Sequence, residues 1–161
     1  MRYRTRQLGV VEVPRDKVLC FVVPLLGFAL FRKYVLLPVP GARPFFCLQS
    51  LEEPQLTFPV LRADELAVEY AMPPDDLRRV AATSDDEATC WIVVAFPTEG
   101  MPLRPNFRAP IIVNEKKQLA AQIVLSDERF IRRTLSIAAV PAERCDSAAG
   151  ASRTPVRSAR A

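Results

Sequence analysis

A chain of 161 residues, half of them hydrophobic and a quarter charged, has the length and composition of one globular domain and not of a disordered segment. The net charge of +4 is a mild excess, and +2 of it falls after Pro141, so charge alone does not mark a nucleic-acid binder. Histidine is absent, which removes the commonest general base, the Ser-His and Cys-His nucleophile pairs and imidazole metal sites together.

Fifteen prolines against five glycines predict many short elements with rigid connections. Tyr3 to Arg6 and Val10 to Val13 read as a first hairpin around Gln7-Leu8-Gly9. Pro14-Arg15-Asp16 reads as a turn and Val18 to Val22 as a third strand. The apolar run Val18 to Phe31, about 14 residues, falls short of the roughly 20 needed to span a bilayer. Pro24 and Gly27 interrupt it, and no small-x-small cleavage site follows. A soluble, cytoplasmic protein is therefore expected. Ala29 to Arg32 can form a helical turn leading into a strand at Tyr34 to Leu37, and further strands are expected at Phe45 to Ser50, Leu56 to Leu61 and Ala67 to Tyr70.

Pro73 to Val80 is the clearest helix, with prolines at its start, Asp75 and Asp76 in the first turn and Arg78 and Arg79 in the last, matching the macrodipole. Thr89 to Phe96 is apolar on both faces, the mark of a central strand covered on both sides. The Pro73 helix or a neighbouring loop is the expected cover. A proline-rich connection, Pro97 to Pro105, leads to the best-patterned stretch, Asn106 to Leu125. There Phe107, Ala109, Ile111 and Val113 alternate with Arg108, Pro110, Ile112 and Asn114. After the polar turn Asn114 to Lys117, Leu119, Ala121, Ile123 and Leu125 alternate with Gln118, Ala120, Gln122 and Val124. This is a β-hairpin with one buried face and one outward face. Pro110 cannot donate to a ladder, so it predicts an edge strand or a bulge. Ser126 to Arg129 reads as a turn and Ile131 to Val140 as a last strand. With about nine strands, one or two short helices and no βα alternation, the expected fold is mostly β, a compact antiparallel β-barrel-like or sandwich-like single domain over residues 1–140. Residues 141–161, rich in Arg, Ala and Ser, read as a disordered tail.

Little here supports catalysis. Five scattered glycines cannot build a phosphate loop, and Asp75-Asp76 and Asp85-Asp86-Glu87 read as a helix start and a solvated loop. Cys20, Cys47, Cys90 and Cys145 form no Cys-x-x-Cys pair, so no metal is expected and the first three read as buried reduced thiols. No cofactor is implied. Binding is the better class of function. Phe28, Phe31, Tyr34, Phe45 and Phe46 cluster beside prolines, where aromatics fill a small barrel or line a peptide groove. An alternative is direct single-stranded RNA binding through Arg104, Arg108, Arg129, Arg132 and Arg133 with Phe107 and Phe130 interleaved.

PLLGF (Pro24 to Phe28), FRKYVLLPV (Phe31 to Val39), PFFCLQSLEEPQLTFPV (Pro44 to Val60), NFRAPIIVN (Asn106 to Asn114) and FIRRTL (Phe130 to Leu135) occur in an order that resembles the FliW family of flagellar assembly factors. The resemblance covers nearly all of residues 1–137. It implies a β-barrel-like, non-enzymatic protein that binds flagellin and the RNA-binding translational repressor CsrA, relieving CsrA repression of flagellin mRNA by partner exchange. The chain departs from the family pattern at Ala29, where an acidic residue is usual, at Arg133, where histidine is more frequent, and in its basic overall charge. The expected partner-binding residues are Arg108, Pro110 and Asn114 on the outward face of the hairpin, then Gln49 and Ser50. Asp75 and Asp76 are expected to meet a basic patch on CsrA.

Overall fold

The computed structural model of the chain describes residues 1–95 and 103–131, and within them ten β-strands and two short helices form. A two-stranded hairpin comes first, β1 (Arg2–Thr5) against β2 (Gly9–Glu12). Gly9 turns with φ +68°, and the Thr5 hydroxyl closes the turn by accepting from the Leu8 N–H at 3.0 Å and donating to the Gly9 carbonyl at 2.8 Å.

The remaining strands are β3 (Leu19–Val23), β4 (Lys33–Pro38), β5 (Phe46–Ser50), β6 (Thr57–Arg62), β7 (Thr89–Ala95), β8 (Arg104–Pro105), β9 (Ile111–Asn114) and β10 (Leu119–Gln122). Seven of them close on themselves in the order β6-β5-β4-β3-β10-β9-β7, and β7 returns to β6 through Val60↔Val93 and Leu61↔Ile92. β8 lies outside this barrel, against the end of β7. Every pair is antiparallel except β3 with β10, which is parallel and carries a register irregularity between Ala120 and Ala121. An odd number of strands cannot alternate direction around a closed circuit, so one parallel pair is a geometric necessity. The expected mostly β, antiparallel barrel-like fold is therefore present, with this single parallel pair as its added detail.

All seven strands contribute to the barrel interior: Phe21, Tyr34, Leu48, Val60, Trp91, Ile111 and Ala120 belong to one buried cluster. A barrel of this size is filled by its own side chains. A second core lies outside the wall. Ile92, Ile112, Ala121 and Ile123 point away from the interior and meet Val68, Tyr70, Met72, Leu77 and Val80 from the chain between β6 and β7. Helix α1 (Pro74–Arg79) is the centre of this cover, as expected, and burying Leu77 and Val80 stabilises it by roughly 1.5–3 kcal/mol each. It ends in a left-handed residue, Ala81 at φ +54°, with Ala82 N–H bonded to the Leu77 carbonyl and Ala81 N–H to that of Arg78, both at 3.0 Å.

Three local expectations change. Ala67 to Tyr70 is not a strand. A 3-10 turn at Asp64–Leu66 ends at left-handed Ala67, and the chain runs on with Val68 and Tyr70 buried and the Tyr70 hydroxyl donating to the Phe107 carbonyl at 2.8 Å. Where a turn and the start of a strand were expected, Glu128–Ile131 forms a second short helix, α2; the expected strand beyond it and the tail lie outside the described residues. The hairpin β9–β10 has no open face, because the cover formed by residues 63–82 buries Ile112 and Asn114, which alternation reads as outward, and leaves Arg108, ahead of β9, exposed. Nor is β9 an edge strand: it bonds to β10 on one side and to β7 on the other. Pro110 precedes β9, is buried, and accepts the Ile123 N–H at 3.0 Å. The bond lost to the proline ring is the reciprocal one at the point where the ladder begins.

Candidate interaction surface

Most of the side chains that the sequence marks for partner contact are spent inside the fold. Gln49 is fully buried and its amide donates to the carbonyls of Ser50, Pro54 and Leu56. The Ser50 hydroxyl, also buried, accepts the N–H groups of Glu52 and Glu53. Together they build the β5–β6 turn. Asn114 is buried; its amide donates to the Val80 carbonyl at 3.0 Å and, more weakly, to that of Ala81 at 3.4 Å, while its side-chain oxygen accepts the Lys117 N–H. It holds the hairpin turn and the end of α1 in register. Arg108 is exposed. Asp75 is exposed as well and Asp76 only partly, but each is ion-paired three residues on, with Arg78 and Arg79, so this face of α1 carries no net charge. Such exposed pairs contribute little to stability.

The surface that sequence reasoning missed is the β3–β4 loop, residues 24–32, which caps one end of the barrel. Leu25 is buried in the interior cluster, and Phe28 and Phe31 pack on it, Phe28 edge-on to Phe58 with ring centroids 5.1 Å apart. Gln122, itself buried, clamps the loop: its carbonyl oxygen accepts the Leu26 N–H at 2.7 Å and its amide donates to the Ala109 carbonyl at 3.2 Å. Two tight turns, Phe28 N–H to Leu25 carbonyl and Phe31 N–H to Phe28 carbonyl, complete the cap. What remains outward is apolar: Leu26 is 64% exposed and Leu30 87%, with Val22 on β3 and Val124 just past β10 also open. The signal was present in the composition of PLLGFALF, whose apolar residues exceed what one strand end can bury.

At the opposite end the barrel mouth holds a cavity of ≈ 270 Å³, floored by Phe46 and Trp91 and rimmed by Asp16, Lys17, Arg62 and Glu115. Arg62 is already forked onto Asp64 there.

The titratable groups speak for structure. Burial, with a smaller push from the Glu52 charge, raises Tyr34 to about 12. Burial, then the charges of Asp85 and Asp64, raises the Cys90 thiol to about 11, and burial raises Cys47. Glu87 is held below the usual carboxylate range by accepting the Thr83 N–H and hydroxyl, and Asp127 by its pairing with Arg129. None of these groups is paired as nucleophile and base. Among the described residues no three His, Cys, Asp or Glu side chains gather as metal ligands, and no helix is long and apolar enough to cross a membrane. Among the described residues the RNA-stacking arrangement does not assemble either. Phe107 is 2% exposed, Phe130 is stacked on Tyr70, and Arg129 is committed to Asp127; Arg132 and Arg133 lie outside the described residues.

Residues 2–135 match the family described as FliW protein. Among curated proteins, the chain is 36% identical over 131 residues to a flagellar assembly factor FliW of Bdellovibrio bacteriovorus, covering 80% of this chain and 75% of that one. It is 33% identical over 132 residues to a flagellar assembly factor FliW of Treponema denticola, covering 81% and 89%. The crystal structure of a flagellar assembly factor FliW superposes with a TM-score of 0.71 at 22% identity, over 79% of this chain and 90% of the other, which establishes the shared fold.

Proposed function

This chain belongs to the FliW family of flagellar assembly factors, and from that premise we propose that it binds flagellin and the translational repressor CsrA by turns. Free of flagellin, it takes up CsrA and relieves repression of flagellin mRNA; as flagellin accumulates, it is captured and CsrA represses again. The thermodynamic content is a coupling free energy between two ligands of one small protein, where each 1.4 kcal/mol of unfavourable coupling is about a tenfold loss of one affinity in the presence of the other.

The observation that carries a binding function is the division of labour in the side chains. Buried polar groups such as Gln49, Ser50, Asn114 and Gln122 are spent on the protein's own backbone, while a rigidly held loop leaves two leucines in solvent. Large exposed apolar side chains grouped on an ordered loop mark an interaction site. In a pull-down at physiological salt, the purified protein is expected to retain its cognate flagellin and its cognate CsrA separately, and added flagellin is expected to displace CsrA. Retention of neither would end this reading. Retention of both at once would end partner exchange. Phe107 in the core leaves single-stranded RNA without its stacking platform, so protein partners are the better-supported class.

A further inference from the structure

We infer that the barrel end capped by residues 24–32 is the flagellin-docking surface, and that the partner site it fits is a concave apolar groove bordered by carboxylates. The inference deepens the flagellin reading above and rests on it.

Three features define the occupant. The first is shape and polarity. Leu26 and Leu30 project from consecutive tight turns, with Val22 on the adjoining strand and Val124 on the chain leaving β10, the parallel neighbour of β3. Protruding leucines are knobs, and their complement is a groove. The second is charge. Lys33 and Arg108 are exposed at this end, and among the described residues neither has an ion-pair partner, whereas the cations of α1 and α2 are paired. Glu52 accepts the backbone N–H groups of Arg32 and Lys33 and serves the loop. Unpaired cations beside apolar knobs select carboxylates at the rim of the partner groove. The third is the closed backbone. The edge of β3 beyond its short pairing with β4 is sealed, because Phe21 N–H donates to the Arg32 carbonyl and the Arg32 guanidinium donates to the carbonyls of Phe21 and Val22, at 3.0 and 3.1 Å. A partner therefore cannot add a strand here, and recognition runs through side chains. The clamp by Gln122 and the packing of Phe28 on Phe58 hold the knobs in place before binding, which lowers the ordering cost.

The test is titration calorimetry of the full chain with cognate flagellin and, separately, with cognate CsrA. Leu26→Asp/Leu30→Asp is expected to weaken flagellin binding at least about tenfold, Arg108→Glu to weaken it and flatten its salt dependence, and Asp75→Lys to leave it unchanged. Both leucines are exposed, so thermal unfolding followed by circular dichroism should show the variants folded. Unchanged flagellin affinity in the double leucine variant, or a loss confined to CsrA, overturns this surface and leaves the flagellin reading standing. Failure of the unsubstituted protein to bind flagellin overturns both.

Discussion

Tyr34 and Cys90 are buried groups, neutral at neutral pH, that are expected to set the alkaline limit of the fold. Tyr34 is fully buried in the barrel interior and its hydroxyl has no hydrogen-bond partner among the described residues; Cys90 sits in the wall near two carboxylates. Both folded values lie above the ordinary ones, about 12 against 10.0 for Tyr34 and about 11 against 9.0 for Cys90. The unfolded chain therefore releases these protons first. Their stabilising contribution is complete below pH 9 and is lost as pH rises through the folded values, at about 1.4 kcal/mol per pH unit for each titrating group. Thermal unfolding is expected to show a melting temperature that falls between pH 9 and 11, with Cys90→Ala and Tyr34→Phe each making the fall shallower. A slope indifferent to both substitutions would mean that other groups set the limit.

Among elements, the junction of α1 with the β9–β10 turn concentrates the most structure in the fewest residues. Asn114 supplies donors to the Val80 and Ala81 carbonyls, groups a helix end leaves without partners. Asn114→Ala is expected to cost about 1–3 kcal/mol in urea denaturation, the price of stranding buried polar groups. Ala81→Gly should have the opposite sign and gain up to about 1 kcal/mol, since a left-handed residue with a Cβ is strained where glycine is not. Both positions explain what a one-dimensional reading could reach. β7 was legible because its apolar residues fill both faces, and α1 because its charges follow the dipole. The hairpin was legible as a hairpin, but Arg108, Pro110, Ile112 and Asn114 alternate as an outward row would; Arg108 is indeed exposed, and only the chain at residues 63–82 packing over Ile112 and Asn114 decides otherwise for those two. Gln49 and Ser50 look like contact residues because they are polar within a strand. The Ser50 hydroxyl accepting N–H groups two and three residues on is the signature of a local turn, written in the Ser-Leu-Glu-Glu-Pro that follows. The exposed cap was hidden by the opposite habit, that of assigning an apolar run to the core.

For the molecule as a whole, the barrel interior and its outer cover share β7, β9 and β10, so one cannot open without disturbing the other. Unfolding in urea is expected to be a single transition, with the fluorescence of Trp91, the sole tryptophan, and far-UV circular dichroism superimposing. A separate earlier step in either signal would show the α1 cover leaving on its own. The parallel seam between β3 and β10 carries a further consequence, which concerns time. Gln118 reaches back across 100 residues to the Val18 carbonyl, and the Cys20 N–H is held by the Gln118 carbonyl. During translation, β3 to β6 are made early, yet β3 waits for β10, the last strand among the described residues, before its second neighbour exists. Nascent chains of this protein therefore carry an unsealed strand through most of their synthesis, and the cap over residues 24–32 acquires its Gln122 clamp at the same late moment. The cap over residues 24–32 is fully clamped only once the ribosome has released β10.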